Sequence, residues 1–189
     1  DTDRRVLKTQ KTTTMKSKTT TLFSASTLAL CAVMLFTSNS SAAPKDTLDA
    51  ADVKFVKTEA AAGNAELKIA ELGVQKAERA DVKAFAEMLV KDHTQANKEL
   101  NALATEKGVE VSAVISPKHA EEFQKLEKAS KADFDKEFLS EMVSAHEKCV
   151  SNFEEAAKDA KNSDVKAWAE KMLPTLKAHL DKAKELAAK

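Results

Sequence analysis

The sequence predicts an all-helical four-helix bundle made of two similar helical hairpins, and three features carry that prediction. Ala, Glu, Lys and Leu dominate the chain beyond residue 42, the composition of long helices. Apolar residues recur there at alternating spacings of three and four. The chain also repeats itself without gaps at an offset of 83 residues.

Each helix carries one narrow seam of the kind bundles bury. The first long helix reads Val53, Val56, Ala60, Gly63, Leu67, Ala70, Val74, Ala77. The second reads Val82, Phe85, Leu89, His93, Ala96, Leu100, Leu103. The third reads Phe138, Met142, Ala145, Cys149, Phe153, Ala156, Ala160, and the fourth Val165, Trp168, Met172, Leu176, His179, Ala183. Asp81 and Asp164 are placed to cap the second and fourth helices, and Asp133 and Asp135 the third, their carboxylates accepting from free backbone amides. Ser116-Pro117 marks another helix start, and Gly108 a helix end. Between Gly108 and Asp133 the pattern predicts a crossover with its own short helix over roughly residues 118–129.

The repeat aligns Asp81-Val82-Lys83-Ala84-Phe85-Ala86-Glu87 with Asp164-Val165-Lys166-Ala167-Trp168-Ala169-Glu170, differing at one position. The register continues backward, pairing Asp52 with Asp135, Phe55 with Phe138, Glu71 with Glu154 and Ala77 with Ala160. Two short-turn hairpins joined by a long crossover is ferritin-like connectivity; an up-down-up-down bundle needs only roughly 2–8 residues between helices.

Residues 1–42 read as an upstream extension and a cleaved export signal rather than as fold. Lys16 and Lys18 precede an apolar run from Leu22 to Phe36, and Ser40-Ser41-Ala42 supplies small residues for cleavage after Ala42. The run is too short and too rich in Ser and Thr for a membrane span, and Leu30 before Cys31 argues against lipidation. The expected location is therefore periplasmic or secreted. The domain proper, residues 43–189, holds one cysteine, Cys149, so no internal disulfide forms there.

Composition narrows the function classes. The leader carries six basic and two acidic residues, which leaves residues 43–189 with 24 basic against 28 acidic. A mildly acidic, mixed surface is a poor match for nucleic acid or an anionic membrane. The chain has no Tyr and one Trp, so stacking platforms are scarce, and three glycines make no phosphate-cradling loop. No nucleophile, base and orienting group fall together, so no enzymatic reaction is read from the sequence.

Several segments resemble the bacterial family called domain of unknown function 4142: Phe55 with Gly63-Asn64-Ala65-Glu66, Phe85-Ala86-Glu87-Met88 with Asp92-His93, Phe134-Asp135 with Met142-Val143-Ser144-Ala145-His146, and Leu173-Pro174 with His179-Leu180. The resemblance implies a ferritin-like fold and an exported protein. It implies no reaction.

The chemistry-bearing residues are histidines. His93, His146 and His179 sit on apolar stripes of three different helices, and Glu66 is the polar candidate on the first. Glu66 lies 13 residues before a turn centred on Arg79 and His93 lies 14 after it; His146 lies 16 before a turn centred on Asn162 and His179 lies 17 after it. At about 1.5 Å per residue, all four stand near the middle of a bundle about 40 Å long. Three imidazoles and a carboxylate suit one ion of zinc, iron or copper, with Asp92 placed to support the adjacent His93 ring. The other reading is a hydrogen-bonded core network in a non-catalytic bundle that acts through a protein partner or by self-assembly into a homo-oligomer. No Glu-x-x-His occurs, so the di-iron pattern is absent. Cys149 and Met142 read as seam filler, and His119 as a solvated crossover residue.

Overall fold

The computed structural model describes residues 47–189; the expected leader and its cleavage point lie outside the described residues. Five helices and no strands occur among the described residues: α1 Ala50–Lys76, α2 Ala80–Glu106, α3 Pro117–Lys128, α4 Lys131–Asp159 and α5 Ser163–Ala187. The offset of 83 residues reappears in the boundaries, since α1 ends at Lys76 and α4 at Asp159, while α2 begins at Ala80 and α5 at Ser163.

Two carboxylates fix the topology. Asp135, early in α4, accepts from the backbone amides of Glu78 and Arg79 at 3.2 and 2.8 Å, so α4 starts beside the α1–α2 turn. Asp52, its counterpart in the repeat, accepts from Asn162 at 2.7 Å and Lys161 at 3.1 Å, so α1 starts beside the α4–α5 turn. The two hairpin turns therefore lie at opposite ends of the bundle. Residues 107–130 must run its length, as ferritin-like connectivity requires. Asn64 Nδ2 donates to the Ser112 carbonyl and pins the crossover to α1. Lys76 Nζ donates to the carbonyls of Glu127 and Ala129, satisfying the C-terminal end of α3.

Around the bundle the order is α1, α2, α5, α4, each antiparallel to its neighbours. Lys171 with Glu99 and Arg79 with the Leu186 carbonyl tie α2 to α5. The seams pack largely as their spacing predicts, although on α1 Ile69 and Leu72 are buried while Leu67 and Val74 of the predicted seam are half-buried. One end of the core holds Leu72, Val82, Phe85, Leu89, Phe134, Phe138, Leu139, Met142 and Leu186. The other end holds Val56, Leu100 and Val165 beside Phe153, Ala169 and Leu176. Gly73 allows α1 close to both α4 and α2, because a Cβ there would stand 2.8 Å from the Phe138 ring and 2.9 Å from Ala86 Cβ.

The helix starts differ from the expectation in detail. Asp81 and Asp164 are not caps. Arg79 occupies the α2 cap position without a side-chain cap bond, and Asn162 caps α5, its Oδ1 accepting from Asp164 and Val165. Asp81 and Asp164 lie within the first turn, where a carboxylate still favours the positive end of the helix dipole. There Asp81 takes the Arg79 guanidinium and Asp164 takes the Lys107 ammonium. The cap of α4 is Ser130, whose Oγ accepts from the Asp133 amide and donates to the Asp133 carboxylate, whereas Asp135 serves the neighbouring turn. Ser116 caps α3 with Pro117 in the first turn, and Gly108 takes a positive φ of 69° after α2, both as the sequence predicts.

Candidate metal centre

Where the two halves of the core meet, the apolar layers give way to imidazoles. His93 on α2 lies between Leu89 and Leu100, His146 on α4 between Met142 and Phe153, and His179 on α5 between Leu176 and Ala183. All three are buried, at 5, 0 and 2% exposure. Their ring centroids form a near-equilateral triangle with sides of 5.4, 5.6 and 5.7 Å, and one nitrogen from each ring lies within 4.8 Å of the others.

Every ring is held from behind through its other nitrogen. His146 Nδ1 is 2.9 Å from the Met142 carbonyl of its own helix. A carbonyl only accepts, so Nδ1 carries the proton and Nε2 keeps a lone pair. His179 Nε2 is 3.1 Å from Asp92 Oδ2, and the same argument leaves the lone pair on Nδ1. His93 Nδ1 faces Glu66 Oε2 at 3.3 Å. The nitrogens left without a hydrogen-bond partner are His93 Nε2, His146 Nε2 and His179 Nδ1.

Burial sets the charges. Desolvation, aided by the neighbouring imidazoles, pushes His93 down to about 3, and His146 falls to about 4 for the same reason. His179 is also lowered by burial, against the pull of Asp92. Desolvation and the nearby Glu59 and Glu141 carboxylates raise Glu66 to about 8. The His93–Glu66 contact at neutral pH is thus a hydrogen bond between uncharged groups rather than an ion pair. The histidines are neutral, the protonation state that binds metals.

The structure brings His93, His146 and His179 together and sets Glu66 against the back of His93. Asp92 bonds across the bundle to His179 instead of to its neighbour His93. Adjacent helical residues point about 100° apart, so Asp92 cannot share the direction of His93. His119 is half-buried on α3 rather than solvated, because α3 covers the groove between α1 and α4. Sequence reasoning missed Glu59, which is buried, accepts from Asn152 Nδ2 at 2.8 Å and lies 3.6 Å from Cys149 Sγ. Its signal was the seven-residue spacing from Glu66 on one face of α1. Burial raises both the Glu59 carboxyl and the Cys149 thiol.

These charge states predict the stability of the metal-free protein. A base lowered by folding supports the native state above its ordinary value of 6.5 and withdraws that support as pH falls. An acid raised from 4.5 to about 8 does so below 4.5 and loses it as pH rises toward 8. Between 4.5 and 6.5 the three imidazoles outweigh Glu66; above 6.5 the raised carboxyls remain, Glu66 foremost, with Glu59 shifted in the same direction. Chemical denaturation across pH should therefore peak near pH 6.5, with each group contributing up to ~1.4 kcal/mol per pH unit. Glu66→Gln should flatten the alkaline side of that peak and leave the acid side in place.

Fold and site together define a class: a ferritin-like helical bundle with a buried, three-imidazole polar layer between two apolar cores. The chain belongs to the family described as Domain of unknown function (DUF4142), whose pattern matches residues 37–186. No curated protein matches the sequence. Among solved structures, a DUF305 fragment from Deinococcus radiodurans aligns with a TM-score of 0.67 and 17% identity over 75% of this chain and 98% of that one. CopM in its Cu(II)-bound form aligns with a TM-score of 0.63 and 19% identity over 72% of this chain and 95% of that one. The Cu(I)-bound form of CopM gives 0.60 at 19% identity, over 71% and 93% of the two chains. At these identities the likeness is one of fold.

Proposed function

We propose that this protein holds a single transition-metal ion at mid-bundle through His93, His146 and His179, with Glu66 behind His93 and Asp92 behind His179. The observation that carries the reading is three buried imidazoles from three helices, each with one unpartnered nitrogen and each offering a nitrogen within 4.8 Å of the other two. Buried polar groups without partners are rare, and three at one level is a costly arrangement for a core that needs none of them. A cation satisfies all three at once. Ligand nitrogens about 2.0–2.1 Å from an ion stand roughly 3.3–3.6 Å apart, so the rings close on it by no more than about 1.5 Å.

Imidazole nitrogens favour copper, zinc and iron over magnesium and calcium, and the general affinity order puts copper first among divalent ions. The fold shared with a protein seen in Cu(II)- and Cu(I)-bound forms makes copper the first ion to test. Carboxyl groups behind two of the three ligand rings match the usual support of metal-bound histidines. The bound ion would be stored or buffered. If residues 1–42 act as an export signal, this capacity lies in the periplasm or outside the cell, where it protects the envelope from free ions.

Elemental analysis of protein purified without a histidine tag, stripped with a chelator and reloaded with Cu²⁺, Zn²⁺ or Fe²⁺, tests the reading. One ion per chain, lost in His93→Ala and His179→Ala, is the expected result. A wild-type chain that takes up none of the three overturns it and leaves a helical scaffold.

A further inference from the structure

A buried site needs a way in, and besides a pocket of only about 30 Å³ at His93, walled largely by Leu100, Phe153, Trp168, Met172 and Leu176, two larger surface depressions approach the imidazoles. One is a groove of about 640 Å³ between α2 and α5, walled by Ala84, Met88, Asp92, Thr175, Ala178 and His179. The other is a cleft of about 210 Å³ beneath α3, whose inner wall is Glu59, Glu66 and Cys149. We infer that the ion enters through the α2–α5 groove, with Asp92 as its first protein ligand and His179 as the side chain that passes it inward. This inference rests on the three-histidine reading above and adds its route.

The groove is the better fit on three counts. It touches a ligand ring directly, since His179 forms part of its wall, whereas the cleft reaches only Glu66. The Asp92 side chain is one-third exposed, at 33%, and its Oδ2 is 3.1 Å from His179 Nε2, so a carboxylate open to solvent is bonded to a ring buried to 3%. That ring spans the wall: Nε2 faces Asp92, and Nδ1, without a partner, is the opposite ring nitrogen.

Backbone chemistry favours the same side. Pro174 lies inside α5 and cannot donate to the carbonyl four residues earlier, so the helix lacks one tie five residues before His179.

The test separates rate from capacity. Metal-free full-length protein is mixed with Cu²⁺, loading is followed by quenching of the single tryptophan, Trp168, and the final copper content is measured. Filling the groove with Ala84→Leu/Ala178→Leu should slow loading at least tenfold and leave one copper per chain. Filling the cleft with Ala62→Leu/Ala145→Leu should leave the rate unchanged. Thr175→Leu provides a second groove variant if the first fails to fold. Loading of a folded groove variant at the wild-type rate, or selective slowing by the cleft variant, overturns the route while the metal site stands. Absence of copper uptake by the wild type fails the underlying reading instead.

Discussion

Replacing His146 with leucine should leave the metal-free protein as stable as the wild type or more so, and should abolish stabilisation by copper. The first half follows from burial. His146 is fully buried with Nε2 unpartnered, and an unmet polar group of that kind costs ~1–3 kcal/mol. Leucine has similar volume, lies on a helix face it favours, and removes the penalty; exchange of buried polar groups for apolar ones is often neutral or stabilising. The Met142 carbonyl loses a side-chain donor but keeps its place in the helix ladder. The second half follows from mass action. An ion at a thousandfold excess over its Kd stabilises the native state by ~4 kcal/mol, which for a domain of this size raises Tm by on the order of 10 °C. Melting curves of wild type and His146→Leu with and without Cu²⁺ read both effects. A full copper-dependent shift in the variant would place binding away from the three imidazoles.

Loss of either cross-turn carboxylate should be the most destabilising single change outside the apolar core. Asp52 and Asp135 are buried, at 3 and 9% exposure, and each takes two backbone amides of a turn that belongs to the other hairpin. Alanine leaves those amides without their acceptor, a cost of ~2–4 kcal/mol at each site. The sites lie at opposite ends of the bundle and share no partner, so the costs should add, and the double variant should lose a large part of the ~5–15 kcal/mol typical of a domain. Asparagine distinguishes the two. Asp52 receives its two closest amides on one oxygen, which an amide carbonyl can imitate, whereas Asp135 uses one oxygen for each. Asp135→Asn should therefore cost more than Asp52→Asn in urea denaturation; equal costs would show that the second oxygen of Asp135 contributes nothing.

These carboxylates also mark where sequence reading stopped. The repeat pairs Asp52 with Asp135, and that pairing is visible in the chain, but their acceptor role is not. In the sequence Asp135 reads as a cap of its own helix and Asp52 only as its counterpart in the repeat, because propensity arguments look a few residues either way. Their partners lie 109–110 and 56–57 residues distant. The same limit explains Asp92. Its place beside His93 suggested service to that ring, whereas helical geometry turns it toward α5 and His179.

The helices, their seams, the two-hairpin repeat, the long crossover and the common height of His93, His146 and His179 were all determined by the sequence itself. These follow from local rules: the helical period, a fixed rise per residue and equal distances from the turns. Only the tertiary structure decided which carboxyl stands behind which imidazole, which nitrogens keep their lone pairs, that Glu66 is neutral, and that a groove between α2 and α5 reaches His179. The physical reason is rotation about each helix axis. A few tens of degrees decide whether a side chain faces the seam, a neighbour or solvent, and that angle is set by the packing of all four helices together.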